Sequence, residues 1–453
     1  MAYGAEAKTP LSARPNIIYI LADDLGYGDL GCFGQQRIKT PCLDRMAREG
    51  IRMTQHYCGS AVSAPSRATL LSGQHTGHVL IRSLPAFAVG GPVDFTDQDI
   101  LISQELQKAG YKTAMIGKWG LAEAGMASMP LQRGFDYFFG YKTHIEAHHY
   151  YLSYLWRNDA QAPMPDNDEQ NCTGVYSHDM FTAETVQFIS KNHANPFFLY
   201  LAYTIPHYEL TVPEDSKVPY LNLGWEERPM KAGHYRHDPE GNTTYAGMVS
   251  RMDRDIGKLL DLLRELGIAE NTLVIFSSDN GPEYDRGFFR SNGGFRGQKR
   301  DLYEGGLRTP FIAWWPGKIK GGTTSEHVAA FWDFFPTACE AADIKSKATI
   351  DGISYLSALT GKGTQKQHEY LYWELNEKRG PAQAIRYGDW KMVKLFGKPM
   401  EIYNLRTDIG EGNNIAGQHP EIVRTMESFL AKCRTDNPYF PIDRIVSRMG
   451  NTD

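Results

Sequence analysis

Five apolar runs set the frame of the chain: NIIYILA at 16–22, TAMIG at 113–117, FFLYLAY at 197–203, TLVIFSS at 272–278 and FIAWW at 311–315. They are apolar throughout, without the alternation of a strand that has one wet face, and so fit strands of a sheet covered on both sides. Between them, LDRMAREG (43–50), DILISQELQKAG (99–110), SHDMFTAETVQFISKN (177–192) and TTYAGMVSRMDRDIGKLLDLLRELGI (243–268) repeat apolar residues at spacings of three and four. That is the period of an amphipathic helix. Strand and helix patterns in alternation predict an α/β fold: a large, mostly parallel sheet sandwiched by helices. After LSALTGKGTQKQH (356–368) the texture changes. LYWEL, AQAIRYGDW, KMVKLF and EIYNL read as short strands joined by turns, followed by one helix in HPEIVRTMESFLAKC. The expected organisation is a catalytic domain over 1–365 and a smaller antiparallel α+β subdomain over 366–453 that closes the substrate pocket.

Size and charge narrow the classes. A chain of 453 residues can bury a sizeable core. Its formal net charge of -5 argues against a general nucleic-acid binder, so any anion must be held by particular residues. No apolar run approaches the roughly 20 residues that span a bilayer. MAYGAEAKTPLSARPN has no hydrophobic core of a signal peptide, which predicts either a cytosolic protein or one whose leader has been removed. The cysteines at 32, 42, 58, 172, 339 and 433 show neither CxxC nor zinc spacing and read as buried thiols, with a disulfide as the alternative.

The first run leads into DDLGYGDLG, where Gly26, Gly28 and Gly31 spell GxGxxG. Asp23 and Asp24 stand between strand and glycines and would repel a pyrophosphate, so the dinucleotide reading is rejected. Both aspartates can face one point only if the chain leaves strand geometry there, and the nearby glycines would ease such a bend. Asp279 and Asn280 close TLVIFSSDNG in the same manner. Strand ends of a parallel sheet gather on one edge, where open α/β folds place ligands. Three carboxylates and an amide there suit a hard divalent cation, calcium or magnesium. Lys118 follows TAMIG, His207 follows FFLYLAY, and Lys299 precedes FIAWW. Singly each is unremarked; together they describe a cationic cluster beside a metal, suited to an anionic substrate rich in oxygen.

CGSAVSAPSRATLLSG (58–73) begins a short helix, with Ser63 where an N-cap would sit and Pro65 in the first turn. Ser63 would then face the positive end of the helix, and Arg67, one turn on, could reach back to it. A plain N-cap explains Ser63 equally well. SAPSRATLLSG resembles the signature of type I sulfatases, which runs Cys or Ser, any residue, Pro, Ser, Arg, three variable residues, Leu or Met, Thr or Ser, Gly. PNIIYILADDLGYGDLGCFG, IGKW, PFFLYLAYTIPH, SSDNG, GQKRDLYEGGLRTP and AQAIRYGDWKMVKL extend the resemblance over nearly the whole chain.

The resemblance implies that Ser63 is converted by a maturation enzyme to formylglycine, an aldehyde hydrated in the active enzyme. It implies calcium, rather than magnesium, held by Asp23, Asp24, Asp279, Asn280 and an oxygen of the modified residue 63. Arg67 would steady that residue, Lys118 and Lys299 would grip sulfate, and His207 would protonate the leaving alcohol. The serine form is expected in bacteria, and the family is usually exported to the periplasm or beyond. The chain departs from the pattern at GKWG, where the family often has histidine in place of Gly120; His75 is the candidate to replace it. In HIEAHHYYLSYLWRN (144–158), His148 and His149 are candidate substrate contacts, because sugars stack on aromatics and pair with polar edges. Glu304, Arg308 and Glu374 are further candidates. The expected substrate is a sulfated galactose, N-acetylgalactosamine or glucosamine unit of a glycan, attacked from its end. The alternatives are a phosphatase, phosphodiesterase or phosphonate hydrolase of the same superfamily, or a catalytically silent binding form with Ser63 unmodified.

Overall fold

A computed structural model describes residues 14–122, 126, 128–233, 235–285, 287–377 and 379–446. The chain runs β1 (Asn16–Ala22), α1 (Pro41–Glu49), β2 (Ile51–Met53), β3 (His56–Tyr57), α2 (Ser63–Ser72), α3 (Ile102–Lys108), β4 (Lys112–Lys118), β5 (Tyr137–Tyr141), β6 (Tyr154–Arg157) and β7 (Ala160–Pro163). It continues with α4 (Ser177–Asn192), β8 (Phe197–Ala202), α5 (Asn242–Glu265), β9 (Thr272–Ser278), α6 (Glu304–Leu307), β10 (Phe311–Trp314), β11 (Thr323–Ser325) and β12 (Ala329–Ala330). Last come α7 (Phe334–Ala341), α8 (Leu356–Thr360), β13 (Leu371–Glu377), β14 (Gly380–Tyr387), β15 (Trp390–Leu395), β16 (Glu401–Asn404) and α9 (Pro420–Leu430).

Ten strands form the main sheet in the order β11-β2-β10-β9-β1-β8-β4-β5-β6-β7. The centre, β9-β1-β8-β4-β5, is parallel throughout. β10 enters antiparallel to β9, and β6 and β7 add an antiparallel hairpin at the far edge. The helices cover both faces, as the continuous apolar runs require. Along β1, Ile17, Tyr19 and Leu21 point into a core shared with Leu70 and Leu71 of α2, Leu106 of α3 and Phe334 of α7. Ile18 and Ile20 point into the opposite core with Leu43 of α1, Phe181 of α4 and Met252 of α5. β3 and β12 pair as a separate two-stranded ribbon.

The second sheet, β13-β14-β15-β16, is antiparallel and likewise packs on both sides. Leu371, Trp373 and Leu375 of β13 face the large core, whereas Tyr372 faces α9 with Ile385, Met392 and Phe429. No helix among the described residues is long and apolar enough to cross a membrane.

Candidate active site

Four adjacent parallel strands deliver their carboxyl ends to one place. β1 and β9 run in register to Ala22 opposite Ser278, which puts Asp23 level with Asp279 and Asp24 level with Asn280. The bend that turns both aspartates inward is at Asp24 itself, with φ 63, a left-handed conformation few non-glycine residues adopt. Gly26, by contrast, has φ -77. The two glycines expected to ease this bend serve close approach instead: a Cβ on Gly26 would lie 2.1 Å from the carbonyl oxygen of Ser291, and one on Gly28 2.4 Å from that of Arg290. The Gly28 N–H donates to Ser291 O at 2.7 Å, so the GxGxxG loop is filled by backbone and offers no cradle for phosphate.

β8 ends at Ala202 and leads to His207, and β4 ends on Lys118. The Lys118 ammonium donates to Asp23 Oδ2 at 2.6 Å. Lys299 donates to Asp24 Oδ2 at 2.7 Å, and His207 Nε2 lies 3.6 Å from the same oxygen. Ser63 is the first residue of α2, preceded by Val62 as N-cap; it is not the cap expected from the sequence. Its Oγ accepts from Arg67 Nε at 2.8 Å. The same guanidinium donates to Lys118 O at 3.1 Å and to Asp279 Oδ2 at 2.9 Å, and lies 3.3 Å from Asp23 Oδ2. Ser66 turns away: its hydroxyl donates to the Asp279 carbonyl and accepts from the Gly59 N–H.

All of these side chains are buried, and burial sets their electrostatics. It pushes the Asp24 carboxyl up to about 8 against the pull of Lys299, with Glu283, Asp23 and Asp279 adding to the rise. At Asp23 burial is outweighed by Lys118 and Arg67, which hold the carboxyl below its ordinary value. Burial, with Lys299 and Lys118, drives His207 well below the usual imidazole range. Asp23 Oδ1 and Asn280 Oδ1 are buried without a hydrogen-bond partner. Crowded carboxylates with orphaned oxygens fit an oxygen-seeking divalent cation.

With this geometry in place, comparison with known proteins is decisive. The family model for sulfatases matches residues 15–344. The chain belongs to the sulfatase family. A second model, N-sulphoglucosamine sulphohydrolase, C-terminal, matches residues 294–436 of this sulfatase. N-acetylgalactosamine-6-sulfatase of Canis lupus familiaris is 32% identical over 437 residues, covering 89% of this chain and 76% of the relative. N-acetylgalactosamine-6-O-sulfatase of Bacteroides thetaiotaomicron is 29% identical over 509 residues, covering 94% of each. Among solved structures, Ps i-CgsB in complex with k-i-k-neocarrahexaose superposes with a TM-score of 0.80 at 28% identity, covering 94% of this chain and 95% of that one. The chain is thus an enzyme of the sulfuric ester hydrolase class.

Not every expected residue of the sulfatase reaches the cluster. His75 lies beyond the far end of α2 from Ser63. Its N–H pairs with Asp351 at 2.9 Å and its ring stacks on His78 at 4.4 Å, so it does not stand in for a histidine at Gly120. Its Nδ1 accepts from the Gly77 N–H at 3.1 Å, which puts the proton of the neutral ring on Nε2 and makes this His and Asp group a poor metal site. Glu304 is sealed among Lys391 at 2.9 Å, Tyr57 at 2.7 Å and Arg308 at 3.4 Å. Arg308 also donates to Thr54 O at 2.6 Å. Glu374 is held by Arg82 at 3.1 Å and Arg434 at 2.9 Å. These three carry buried ion pairs. His148 does reach the site, its ring stacked on His207 at 5.2 Å, whereas His149 turns to Glu209 at 3.5 Å.

Two features have no clear mark in the sequence. Glu283 accepts from Lys299 at 2.7 Å and from Arg300 at 2.8 Å, and so braces the lysine from the side opposite Asp24. Glu283→Gln is expected to lower kcat/KM for 4-nitrophenyl sulfate about tenfold by loosening Lys299; unchanged steady-state kinetics would contradict that bracing role. Beside Arg300 opens a cavity of about 520 Å³, lined by Phe87, His144, Arg300, Glu377, Leu395 and Phe396 among others.

Proposed function

We propose that this sulfatase removes 6-O-sulfate from a terminal N-acetylgalactosamine or galactose unit of a glycan, using a formylglycine made from Ser63 and a bound calcium ion. The observation that carries the reading is Ser63 itself: a hydroxyl on the first turn of a helix, held at 2.8 Å by a buried arginine, among two lysines and three aspartates. A serine with only a structural task has no need of that surrounding. The choice of sugar follows the 6-sulfatases among the relatives.

Asp23, Asp24, Asp279 and Asn280 would hold the ion, with Asp23 Oδ1 and Asn280 Oδ1 gaining the partner they lack. When bound, calcium supplies positive charge against the oxygens of the ester. The converted residue supplies a second hydroxyl, which a plain serine lacks and which allows sulfate to be released after transfer. Lys118 and Lys299 fix the sulfate oxygens in a buried, weakly screening site, where each fixed charge counts for more than in water. Arg67 orients residue 63. His207 stands beside Asp24, where it hands a proton to the departing sugar oxygen; the anionic ester arriving between the two lysines raises its affinity for that proton. Residues 366–453 form the unit that closes the pocket over residues 1–365, and β13 to β15 supply part of the cavity wall. The protein acts in the periplasm or outside the cell after maturation by a formylglycine-generating enzyme.

Matured enzyme is expected to show a higher kcat/KM for 4-nitrophenyl sulfate than for 4-nitrophenyl phosphate at matched calcium, and to desulfate N-acetylgalactosamine 6-sulfate faster than glucosamine 6-sulfate. A preference for phosphate would make it a phosphatase of this fold. A reversed sugar preference would correct the substrate alone.

A further inference from the structure

The cavity beside the cluster contains a carboxylate and guanidinium pair that the catalytic steps leave unused. Arg300 Nε lies 3.0 Å from Glu377 Oε2, while its Nη1 donates to Glu283. Arg300 has φ 74, a left-handed conformation costly for a side chain of its size, and its N–H is tied to Ala61 O at 2.8 Å. Two carboxylates, Glu283 and Glu377, thus pair with this guanidinium, whose side chain is 42% exposed. Glu377 is 7% exposed, and its Oε1 is buried with no hydrogen-bond partner. Burial pushes its carboxyl up in spite of Arg300 and Lys299. A buried carboxylate oxygen left without a donor is costly, and a ligand hydroxyl would remove that cost.

Phe87, Leu375, Pro381 and Phe396 give the wall an apolar portion, alongside the polar His144, Asp301, Arg379 and Lys398. Apolar rings sharing one cavity with a donor and an acceptor match the chemistry of a pyranose, whose C–H face packs on rings while adjacent hydroxyls donate and accept at its edge. The volume of about 520 Å³ is that of a small-ligand site. Position agrees: a single carboxylate, Glu283, separates the Lys299 ammonium from the Arg300 guanidinium, about the reach from an ester to the ring hydroxyls of one hexose.

We propose that Arg300 and Glu377 form the sugar-reading pair of this sulfatase: two adjacent hydroxyls of the hexose bind there, one donating to Glu377 and the other accepting from Arg300. The inference rests on the functional reading above and specifies where the ring, as distinct from the sulfate, is recognised. Glu374, expected from the sequence, lies three residues from Glu377 on the same strand, and the alternation of β13 turns it to the other face.

The test is binding without turnover. Full-length chain with Ser63 unconverted, in calcium, is titrated calorimetrically with N-acetylgalactosamine 6-sulfate and separately with inorganic sulfate. In Glu377→Ala the ratio of the two Kd values should rise about tenfold or more, because a hydrogen bond to a charged group is lost for the sugar alone. Glu377→Gln, which keeps an acceptor oxygen, should raise it less. Ala86→Trp puts bulk into the cavity from another part of its wall and should raise the same ratio. An unchanged ratio in Glu377→Ala and Ala86→Trp overturns the proposal, as does a parent chain that binds the sugar sulfate no better than sulfate. A matured parent that prefers phosphate esters would instead overturn the functional reading, and the ratio would still report on the pair.

Discussion

Replacing Asp23 with alanine is expected to lower turnover of 4-nitrophenyl sulfate by about a thousandfold or more and to erase the rise in melting temperature that calcium gives the parent. Two effects combine. One Asp23 oxygen accepts from Lys118 at 2.6 Å and faces Arg67 at 3.3 Å, while the other is buried without a partner. Under the proposed assignment alanine removes a ligand for the ion, and it leaves a buried lysine facing a buried arginine with one carboxylate fewer between them. The loss is then both of transition-state charge stabilisation and of the ion itself. A ligand that binds only the folded state raises its stability in proportion to the logarithm of its concentration over Kd, so titrating calcium during thermal melts reads the site without relying on activity. A variant that keeps both its turnover and its calcium response would remove Asp23 from the metal site.

The second large effect concerns His207. Its alanine variant should lose about a hundredfold to ten-thousandfold on N-acetylgalactosamine 6-sulfate, whose leaving alcohol is a poor one, and far less on 4-nitrophenyl sulfate, whose phenol departs without help. The contrast between the two substrates, measured in kcat/KM, reports proton donation. Equal losses on both would make His207 a group that shapes the pocket, stacked on His148 at 5.2 Å, and would move the acid elsewhere.

Much of this architecture could be read from the chain because most of the clustered residues stand at or just after strand ends. Asp23 and Asp24 follow β1, Asp279 and Asn280 follow β9, Lys118 closes β4 and His207 comes soon after β8. Once the apolar runs are taken as parallel neighbours, their ends must converge, and the cluster follows from topology. What could not be read depends on features with no local signal. The inward turn of Asp24 rests on a backbone conformation at that residue, and no glycine marks it. Pro65 and Ser63 pointed to a helix start, yet the cap falls on Val62, whose side chain makes no capping bond. His75 stands near Ser63 in sequence, but the length of α2, Ser63–Ser72, separates them in space. Glu374 lies three residues before Glu377 on β13, and strand alternation turns the two to opposite faces. Glu283 sits in SDNGPEY, a loop with no pattern to announce that it would fall between Lys299 and Arg300. The antiparallel hairpin of β6 and β7 lies in a stretch whose aromatics read equally well as binding surface or as core.

The claim on which the rest depends is the conversion of Ser63. Trypsin cuts after Arg52 and Arg67 and releases MTQHYCGSAVSAPSR as one peptide. In chain purified from a host that supplies the maturation enzyme, this peptide should be two hydrogens lighter than its sequence requires, with the loss located at Ser63 by fragmentation and with sulfatase turnover rising in step with the converted fraction. Turnover of sulfate esters by chain whose peptide carries only unmodified Ser63 would contradict the account.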